Sequence, residues 1–276
     1  MGATFAGKVV LITGASSGIG AELARALAGL GAELILLARR RERLESLASG
    51  LRAAGAAVEV IAADVTVDGS LADVVSQLGS RGKVLDILIA NAGFGVAGRF
   101  QELSLADYRR QFETNVFSVL RGIYEALPAL KASSGQVVIM GSVAGFVAMP
   151  GASCYAMSKF AVRALAESLR GDLAQYGIAV THIAPGFVDS DIRRTNNHGE
   201  LRPDAPDPVP AWLRVDTARA VRAMLPAIRK RRSEAIITGH GKVIVFLARH
   251  CSPCWRWLTS RPGVRARREP GRQAAP

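Results

Sequence analysis

The opening stretch of the chain constrains its fold more than any other. Residues 8–13 form a short apolar run rich in β-branched side chains, Gly14, Gly18 and Gly20 follow, and a helical pattern covers residues 21–30. This order predicts a strand, a glycine turn and a helix. Glycines let the backbone turn sharply and approach a pyrophosphate, whose charge is favoured at a helix N-terminus. The spacing departs from the G-x-G-x-x-G pattern, so taken alone the cluster also fits a tight turn without a ligand.

Strand patterns recur along the chain and alternate with helical patterns. Runs such as residues 34–38 and 87–90 are apolar throughout, as expected for strands covered by helices on both faces. We therefore predict an α/β fold with a doubly wound, parallel, seven-stranded sheet and helices on both faces. The predicted strands lie at about residues 8–13, 32–38, 57–63, 86–90, 135–141, 178–184 and 234–238.

Three side chains are suited to moving a proton to or from a carbonyl oxygen. Tyr155 and Lys159 share a face if this stretch is helical, and the Lys159 ammonium then favours the tyrosinate form of Tyr155. Lowering a phenol pKa from about 10 to near 7 takes roughly 4 kcal/mol, which a cation in a dry cleft can supply. Ser142, thirteen residues before Tyr155, would hold the substrate oxygen. Taken alone, Tyr-x-x-x-Lys also fits an amphipathic helix with a solvated lysine.

The order of these motifs resembles the short-chain dehydrogenase/reductase superfamily in its single-domain form, from about Gly7 to Gly239. The resemblance implies a Rossmann-like fold and an oxidoreductase. It also implies roles for four residues: Tyr155 as the acid/base, Lys159 as the group that lowers its pKa and binds the nicotinamide ribose, Ser142 as the substrate-oxygen donor, and Asn115 as the holder of a proton-relay water.

The same resemblance implies a set of cofactor-binding residues. The glycine turn takes the pyrophosphate, the segment after the third strand flanks the adenine, and residues 183–190 fix the carboxamide. One departure is serine at position 190, where the superfamily often has threonine, and the hydroxyl is kept. The set comprises Gly14, Ser16, Ser17, Gly18, Ile19, Gly20, Arg39, Arg40, Asp64, Val65, Asn91, Ala92, Gly93, Tyr155, Lys159, Pro185, Gly186, Val188 and Ser190.

Cofactor choice depends on the residues after the second strand. An acid about twenty residues past the glycines would bind the adenosine ribose diol, but this chain has Ala38, Arg39 and Arg40 there. A 2′-phosphate could pair with Arg39 and with Arg40 or Arg41 through charge-assisted bonds. We therefore expect NADP(H) rather than NAD(H). The basic run up to Arg43 also fits the solvated start of the next helix.

Positive charge is concentrated near the C-terminus. The net charge is +12, and residues 214–276 contain fifteen Lys/Arg and three Asp/Glu, against twenty of each before them. We predict a catalytic domain at 1–239 and a basic, partly apolar extension at 240–276. The apolar residues 243–248 and the aromatic residues 255–258 among arginines suit an anionic membrane surface. A short helix that packs on the domain or closes the cleft, followed by a disordered tail, fits equally well.

Other features of the sequence limit which partners and which cellular location we expect. We find no nucleic-acid recognition motif, and the Cys-x-x-Cys pair at 251–254 near His240 and His250 lacks a second pair, so we expect neither nucleic acid nor metal. An odd number of cysteines, no export signal and no long apolar span favour the cytoplasm, with a peripheral position at the inner membrane face as an alternative. The resemblance implies a homo-oligomer, a dimer or tetramer formed by helices around 104–131 and 153–176.

The substrate is the least constrained part of the prediction. The segments expected to line the pocket are apolar and include Phe94, Val96, Phe146, Val147, Met149, Phe187 and Trp212. We therefore expect a lipophilic carbonyl compound, such as a 3-oxoacyl, sphingoid or steroid-like ketone, or the matching secondary alcohol. A proline-rich lid at about 189–213 should be mobile until a ligand arrives. The alternatives are an NADP(H)-binding sensor or scaffold, and a lipid-surface binding module with little turnover.

Overall fold

A single parallel sheet organises the molecule. The computed structural model describes residues 5–251 and 257. In this part of the chain seven strands lie in the order β3-β2-β1-β4-β5-β6-β7, and all neighbouring strands are parallel. The strands are β1 Val9–Thr13, β2 Glu33–Ala38, β3 Val58–Ala62, β4 Ile87–Ala90, β5 Gln136–Met140, β6 Ala179–Ala184 and β7 Glu234–Ile236. The predicted seven-stranded, Rossmann-like sheet is confirmed.

Helices cover both faces of the sheet. They are α1 Gly18–Ala28, α2 Arg41–Ala53, α3 Ala72–Ser80, α4 Leu105–Phe112, α5 Ser118–Ser133, α6 Ser153–Ala174, α7 Thr217–Arg229 and α8 Gly239–His250. In β1, Val10 and Ile12 face α1, α2 and α7, whereas Val9 and Leu11 face α3, α5 and α6. Because both sets of side chains are buried, the strand is apolar at every position rather than at alternate ones.

Two element boundaries differ from the predicted ones. Helix α1 begins at Gly18, so Gly18 and Gly20 belong to its first turn, and it ends at Ala28 because Gly31 takes a left-handed conformation with φ of +86°. Strand β7 has only three residues, since Thr238 already caps α8 by accepting a hydrogen bond from the amide of Gly241.

The predicted C-terminal extension starts inside α8. The inner face of this helix packs on the domain, where Val245 lies in a cluster with Val143 and Val147. Arg249 near its end donates a hydrogen bond of 3.2 Å to Glu234 at the start of β7. In the described part of the chain, none of the helices combines the length and the apolar character needed to cross a bilayer. Cys254, Trp255 and the basic residues 261–272 lie outside the described residues.

Strands β5 and β6 meet closely where His182 faces Gly141. The His182 side chain is fully buried, and a Cβ added to Gly141 would lie 2.0 Å from its Nε2 atom. Gly141 therefore provides the space for the imidazole ring.

We predict that Gly141→Ala lowers the free energy of unfolding by about 2 kcal/mol through overpacking, measured by urea unfolding. Gly171→Ala is the matched control, because a Cβ there meets no atom within 4 Å in α6; it should stabilise by about 0.5 kcal/mol. In a His182→Ala background, Gly141→Ala should cost much less. Additive effects in that double variant would contradict the steric explanation.

Candidate active site

A cleft of about 800 Å³ lies at the C-terminal edge of the sheet. Its walls come from the segments that follow β1 to β6, from α6, and from residues 188–203. Parallel sheets place their ligand sites at this edge. The predicted site residues that line the cleft are Gly14, Ser16, Ser17, Gly18, Ile19, Arg39, Arg40, Asp64, Val65, Asn91, Ala92, Gly93, Ser142, Tyr155, Lys159, Pro185, Gly186, Val188 and Ser190.

The three proposed proton-transfer residues lie together on one wall. Tyr155 and Lys159 are one turn apart on α6, and Ser142 follows β5. The Lys159 Nζ atom is 5.8 Å from the centroid of the Tyr155 ring. The Ser142 Oγ atom accepts a 3.1 Å hydrogen bond from the Ala144 amide, so its own proton is available to a ligand oxygen. The wall therefore presents a hydroxyl, a phenol and an ammonium to the same space.

The Lys159 side chain is buried in the protein interior. Its Nζ atom donates a 2.9 Å hydrogen bond to the carbonyl oxygen of Met140, the last residue of β5. Burial lowers the pKa of Lys159 to about 8, because desolvation disfavours the charged form. The side chain therefore keeps a proton at neutral pH but holds it less firmly than an exposed lysine does.

Asn115 lies in a short π-helical segment, Glu113–Phe117, and does not line the cleft. Its Oδ1 atom accepts a hydrogen bond from the Phe94 amide, and its Nδ2 atom donates to the Phe94 carbonyl and to Ser158 Oγ. One N–H group bonds to Phe94 after β4 and the other to Ser158 on α6, so the side chain joins these two elements. Its predicted role in holding a relay water stays a prediction, and the neighbouring Thr114 reaches the cleft instead.

The glycine turn is packed against the end of β4. Gly14 has φ of +67°, and a Cβ there would lie 2.8 Å from the Cα atom of Ala92. The Ser17 side chain does not cap α1, and Gly18 and Ile19 line the cleft. The start of α1 thus presents backbone amides and the positive end of the helix dipole to an anion.

Gly20 does not line the cleft, and its approach to a pyrophosphate stays a prediction. A Cβ on Gly20 would lie 2.4 Å from the Gly14 carbonyl oxygen and 2.6 Å from Asn91 Nδ2. Glycine is required here because the first turn of α1 packs on the strand end.

Thr13, the last residue of β1, was not among the predicted site residues. The Thr13 Oγ1 atom accepts hydrogen bonds of 3.1 Å from the amides of both Asn91 and Ala92. The Asn91 side chain donates back to the Thr13 carbonyl at 3.0 Å. These reciprocal bonds fix the ends of β1 and β4 together, so Thr13 positions two residues of the cleft.

Arginines surround the end of the cleft beside β2. The Arg40 guanidinium donates hydrogen bonds of 2.9 and 2.8 Å to Ser16 Oγ and Ser17 Oγ. Arg39 lies 3.9 Å from Asp64. Burial lowers the pKa of Arg40, and the nearby positive charge of Arg43 lowers it further. Such mutual repulsion favours an anion between these groups.

Arg43 was not among the predicted site residues, and Arg41 was named as an alternative to Arg40. Arg43 lines the cleft and lies 3.6 Å from Asp191, whereas Arg41 does not line it.

The predicted lid is held by polar contacts at several points. The buried Arg193 donates to both carboxylate oxygens of Asp207, at 2.7 to 3.0 Å, and to the Val188 carbonyl. Asn197 exchanges hydrogen bonds of 2.9 and 3.0 Å with the backbone of Ala97. Opening this segment would exchange these bonds for bonds to water, and its mobility before a ligand arrives stays a prediction.

The expected apolar lining is largely wrong. Of the seven residues named for it, only Phe94 lines the cleft. Val96 and Val147 are buried in separate clusters, Phe146 stacks against Arg163, and Trp212 is 82% exposed. The lid contributes Ile192, Leu201 and Pro203 as apolar lining instead.

His240 has a structural contact rather than a ligating one. Its ring stacks on Phe187, and its Nε2 atom accepts a 2.9 Å hydrogen bond from the Phe187 amide. Burial lowers the pKa of His240, which keeps the ring neutral and able to accept. Among the described residues, no group of His, Cys, Asp and Glu side chains is arranged to hold a metal ion.

Comparison with known proteins places these features in context. A family profile described as short chain dehydrogenase matches residues 8–201. An uncharacterised oxidoreductase of Mycobacterium tuberculosis is 34% identical over 232 residues, which cover 83% of this chain and 87% of that protein.

Solved structures with different cofactors are similar to this chain. A short-chain dehydrogenase from Sphingobium yanoikuyae in complex with NADPH has a TM-score of 0.75 and 30% identity, covering 94% of this chain and 98% of its own. A short chain dehydrogenase/reductase from Burkholderia phymatum in complex with NAD has a TM-score of 0.80 and 28% identity, with the same coverage of 94% and 98%. The neighbours therefore include both NADP-type and NAD complexes.

The burial of Lys159 generates a prediction about stability. The pKa of the lysine is about 8 in the folded protein and 10.5 when unperturbed, so the native state holds the charged form at a cost below pH 8. Replacement by methionine removes that cost. We predict that Lys159→Met raises the free energy of unfolding at pH 7 by about 2 kcal/mol.

The gain should shrink as the pH rises from about 8 to 10.5, because over this range the native state has released the lysine proton while the unfolded state still binds it, so the wild type becomes more stable. Urea unfolding across this range, with the exposed Lys230→Met as the control, checks it. A variant that is less stable than the wild type at pH 7 would contradict the buried-charge account.

Proposed function

Because the chain belongs to the short-chain dehydrogenase/reductase superfamily, we propose that it is an NADP(H)-dependent oxidoreductase that reduces a ketone or aldehyde or oxidises the matching secondary alcohol. The observation that carries this proposal is the position of Ser142, Tyr155 and Lys159, which line one cleft with the glycine turn.

A nicotinamide cofactor would be held by groups whose chemistry suits its pyrophosphate, adenine and nicotinamide parts. The start of α1 suits a pyrophosphate, and the close approach of Gly14 to Ala92 leaves no room for side chains where the backbone would meet it. Asp64 and Val65 line the cleft where the adenine is expected, and the lining residues Pro185, Gly186, Val188 and Ser190 belong to the segment expected to meet the nicotinamide. When bound there, a nicotinamide cofactor supplies a hydride to the carbonyl carbon or accepts one from the alcohol.

The protein handles the proton that accompanies the hydride. In reduction, Tyr155 gives its phenolic proton to the carbonyl oxygen as that oxygen gains negative charge. Lys159, 5.8 Å from the ring centroid, stabilises the tyrosinate that remains. Ser142 donates a hydrogen bond to the same oxygen and stabilises its developing charge. Oxidation of an alcohol reverses each step.

The preference for NADP(H) is supported by the arginines at the β2 end of the cleft. Arg39, Arg40 and Arg43 line this end, and their own mutual repulsion would be relieved by a phosphate. Asp64 and Asp191, which lie near Arg39 and Arg43 at 3.9 and 3.6 Å, are the groups that a 2′-phosphate would compete with.

The substrate that we propose is a lipophilic carbonyl compound. Phe94, Ile192, Leu201 and Pro203 are the apolar groups that support this choice. Arg110, Glu113 and Glu200 also line the cleft, which favours a molecule that combines an apolar body with at least one polar group. A 3-oxoacyl, sphingoid or steroid-like ketone fits that description.

We also propose a cytoplasmic homo-oligomer. Large apolar side chains are exposed along the helices expected to pair, namely Phe117, Tyr124, Met157 and Phe160. Their exposure in the single chain supports an interface at α5 and α6.

Loss of the phenol should stop catalysis but not cofactor binding. We predict that Tyr155→Phe lowers kcat for ketone reduction by about a hundredfold or more, because the phenol is the group that gives its proton to the substrate oxygen. NADPH affinity, measured by fluorescence, should stay within about threefold. Reduction is followed at 340 nm with lipophilic 3-oxo compounds, ketosphinganine, steroids and small polar ketones.

The exposed Tyr124→Phe is the control for loss of a tyrosine hydroxyl. Unchanged turnover in Tyr155→Phe would contradict the mechanism. Preferential reduction of the polar ketones would contradict the substrate proposal, and NADPH binding without reduction of any compound would favour the sensor function.

The arginines should discriminate between the two cofactors. We predict that Arg39→Gln combined with Arg40→Gln raises the Kd for NADPH by about tenfold or more, since each charge-assisted bond contributes about 1.5–3 kcal/mol. The Kd for NADH should change by less than about threefold. Arg41→Gln is the matched control, because its side chain is exposed and does not line the cleft. Equal weakening of both cofactors would show that the arginines do not recognise the 2′-phosphate.

A further inference from the structure

We propose that the outer face of α8 binds the surface of an anionic lipid membrane. This face is the outer stripe of α8, defined by Val243, Phe246 and Leu247, whose side chains are 58%, 59% and 40% exposed. The proposal is independent of the proposed function, because it rests on surface residues outside the cleft.

Helical spacing separates two apolar faces on α8. Residues 243, 246 and 247 are spaced by three and four positions, so they point to one side. Gly241 and Val245 are buried on the other side, where Val245 packs on Val143 and Val147. Because the inner face already holds the helix on the domain, the outer stripe is not needed for packing. The Phe246 ring contacts His250 at 4.6 Å between centroids, within the same helix.

Basic residues lie near the outer stripe at both ends. Lys242 is exposed at the start of the helix, and Arg249 near its end is half-exposed and pairs with Glu234. The hydrogen bond from Arg249 to Glu234 brings the end of α8 to the start of β7, directly after the exposed basic residues 229–232. The surface around the stripe therefore carries positive charge next to apolar side chains.

The sequence beyond α8 has the same character. Residues 240–276 contain eight Lys/Arg and one Asp/Glu. Trp257 is 57% exposed, and tryptophan rings favour the headgroup region of a bilayer. Apolar side chains that insert at the headgroup boundary and basic residues around them are the features of an interfacial helix.

Charge decides between a membrane and a second copy of the chain. An isologous contact through α8 would bring two strongly basic, acid-poor segments together, and like charges across an interface oppose association. Anionic lipid neutralises the same residues and also removes the three apolar side chains from water. The observations therefore favour lipid as the occupant of the stripe.

The test uses the full chain and sedimentation with vesicles. We expect the protein to bind phosphatidylcholine vesicles that contain phosphatidylglycerol, and to bind pure phosphatidylcholine at least about tenfold more weakly. High salt should weaken the binding, since exposed charges are screened. Phe246→Ser combined with Leu247→Ser should reduce the partition coefficient by at least about tenfold, because two partly inserted side chains are lost.

Phe100→Ser is the matched control, because Phe100 is 79% exposed far from α8 in sequence and outside the cleft lining. Far-ultraviolet circular dichroism and NADPH binding verify that both variants are folded. No binding of the wild-type chain to anionic vesicles, or equal loss in the Phe100→Ser control, would overturn the proposal. A further result would also overturn it: light scattering shows that the wild type is an oligomer and the α8 variant is not, and the wild type does not bind vesicles. A second copy of the chain would then cover the stripe.

Discussion

The buried hydrogen bond from Lys159 to the Met140 carbonyl is the contact on which the candidate site depends. It joins α6, which carries Tyr155, to the end of β5, which leads into Ser142. The same junction is tight on its other side, because a Cβ on Gly145 would lie 2.7 Å from the Lys159 carbonyl oxygen. The helix and the turn thus have little freedom to separate. Burial of the Lys159 ammonium lowers the stability of the fold, but it also places this group beside the Tyr155 phenol. Active sites often lose stability in this way in return for activity.

The cofactor half of the cleft is set by small residues and short polar bonds. Gly14 and Gly20 allow the first turn of α1 to press against the end of β4, and Thr13 bonds to two successive amides there. Any larger side chain at these glycines would push the turn off the strand. The wall that would face a pyrophosphate is therefore backbone, held from behind by buried contacts rather than by flexible side chains.

Positive charge acts in three separate places on this chain. The arginines beside β2 face the cleft, and the basic residues around α8 face solvent. Arg193 is paired with Asp207 inside the lid. Net charge alone does not distinguish these roles. Exposure and pairing do, because a buried arginine bonded to a carboxylate is structural, whereas exposed, clustered arginines whose acidic neighbours lie 3.6 to 3.9 Å away remain able to bind an anion.

The sequence by itself determined the parallel sheet, the order of its elements and most of the cleft, because strand periodicity and the motifs after each strand are local signals. Only the tertiary structure decided that Gly20 is a packing residue, that the Asn115 amide is engaged within the protein, and that the lid is held by polar contacts. Those outcomes depend on partners far apart in the chain, such as Asn197 and Ala97, 100 residues away. The tertiary structure also decided which apolar side chains face the cleft. An apolar residue buried in a cluster and one that lines a ligand site look alike in a sequence.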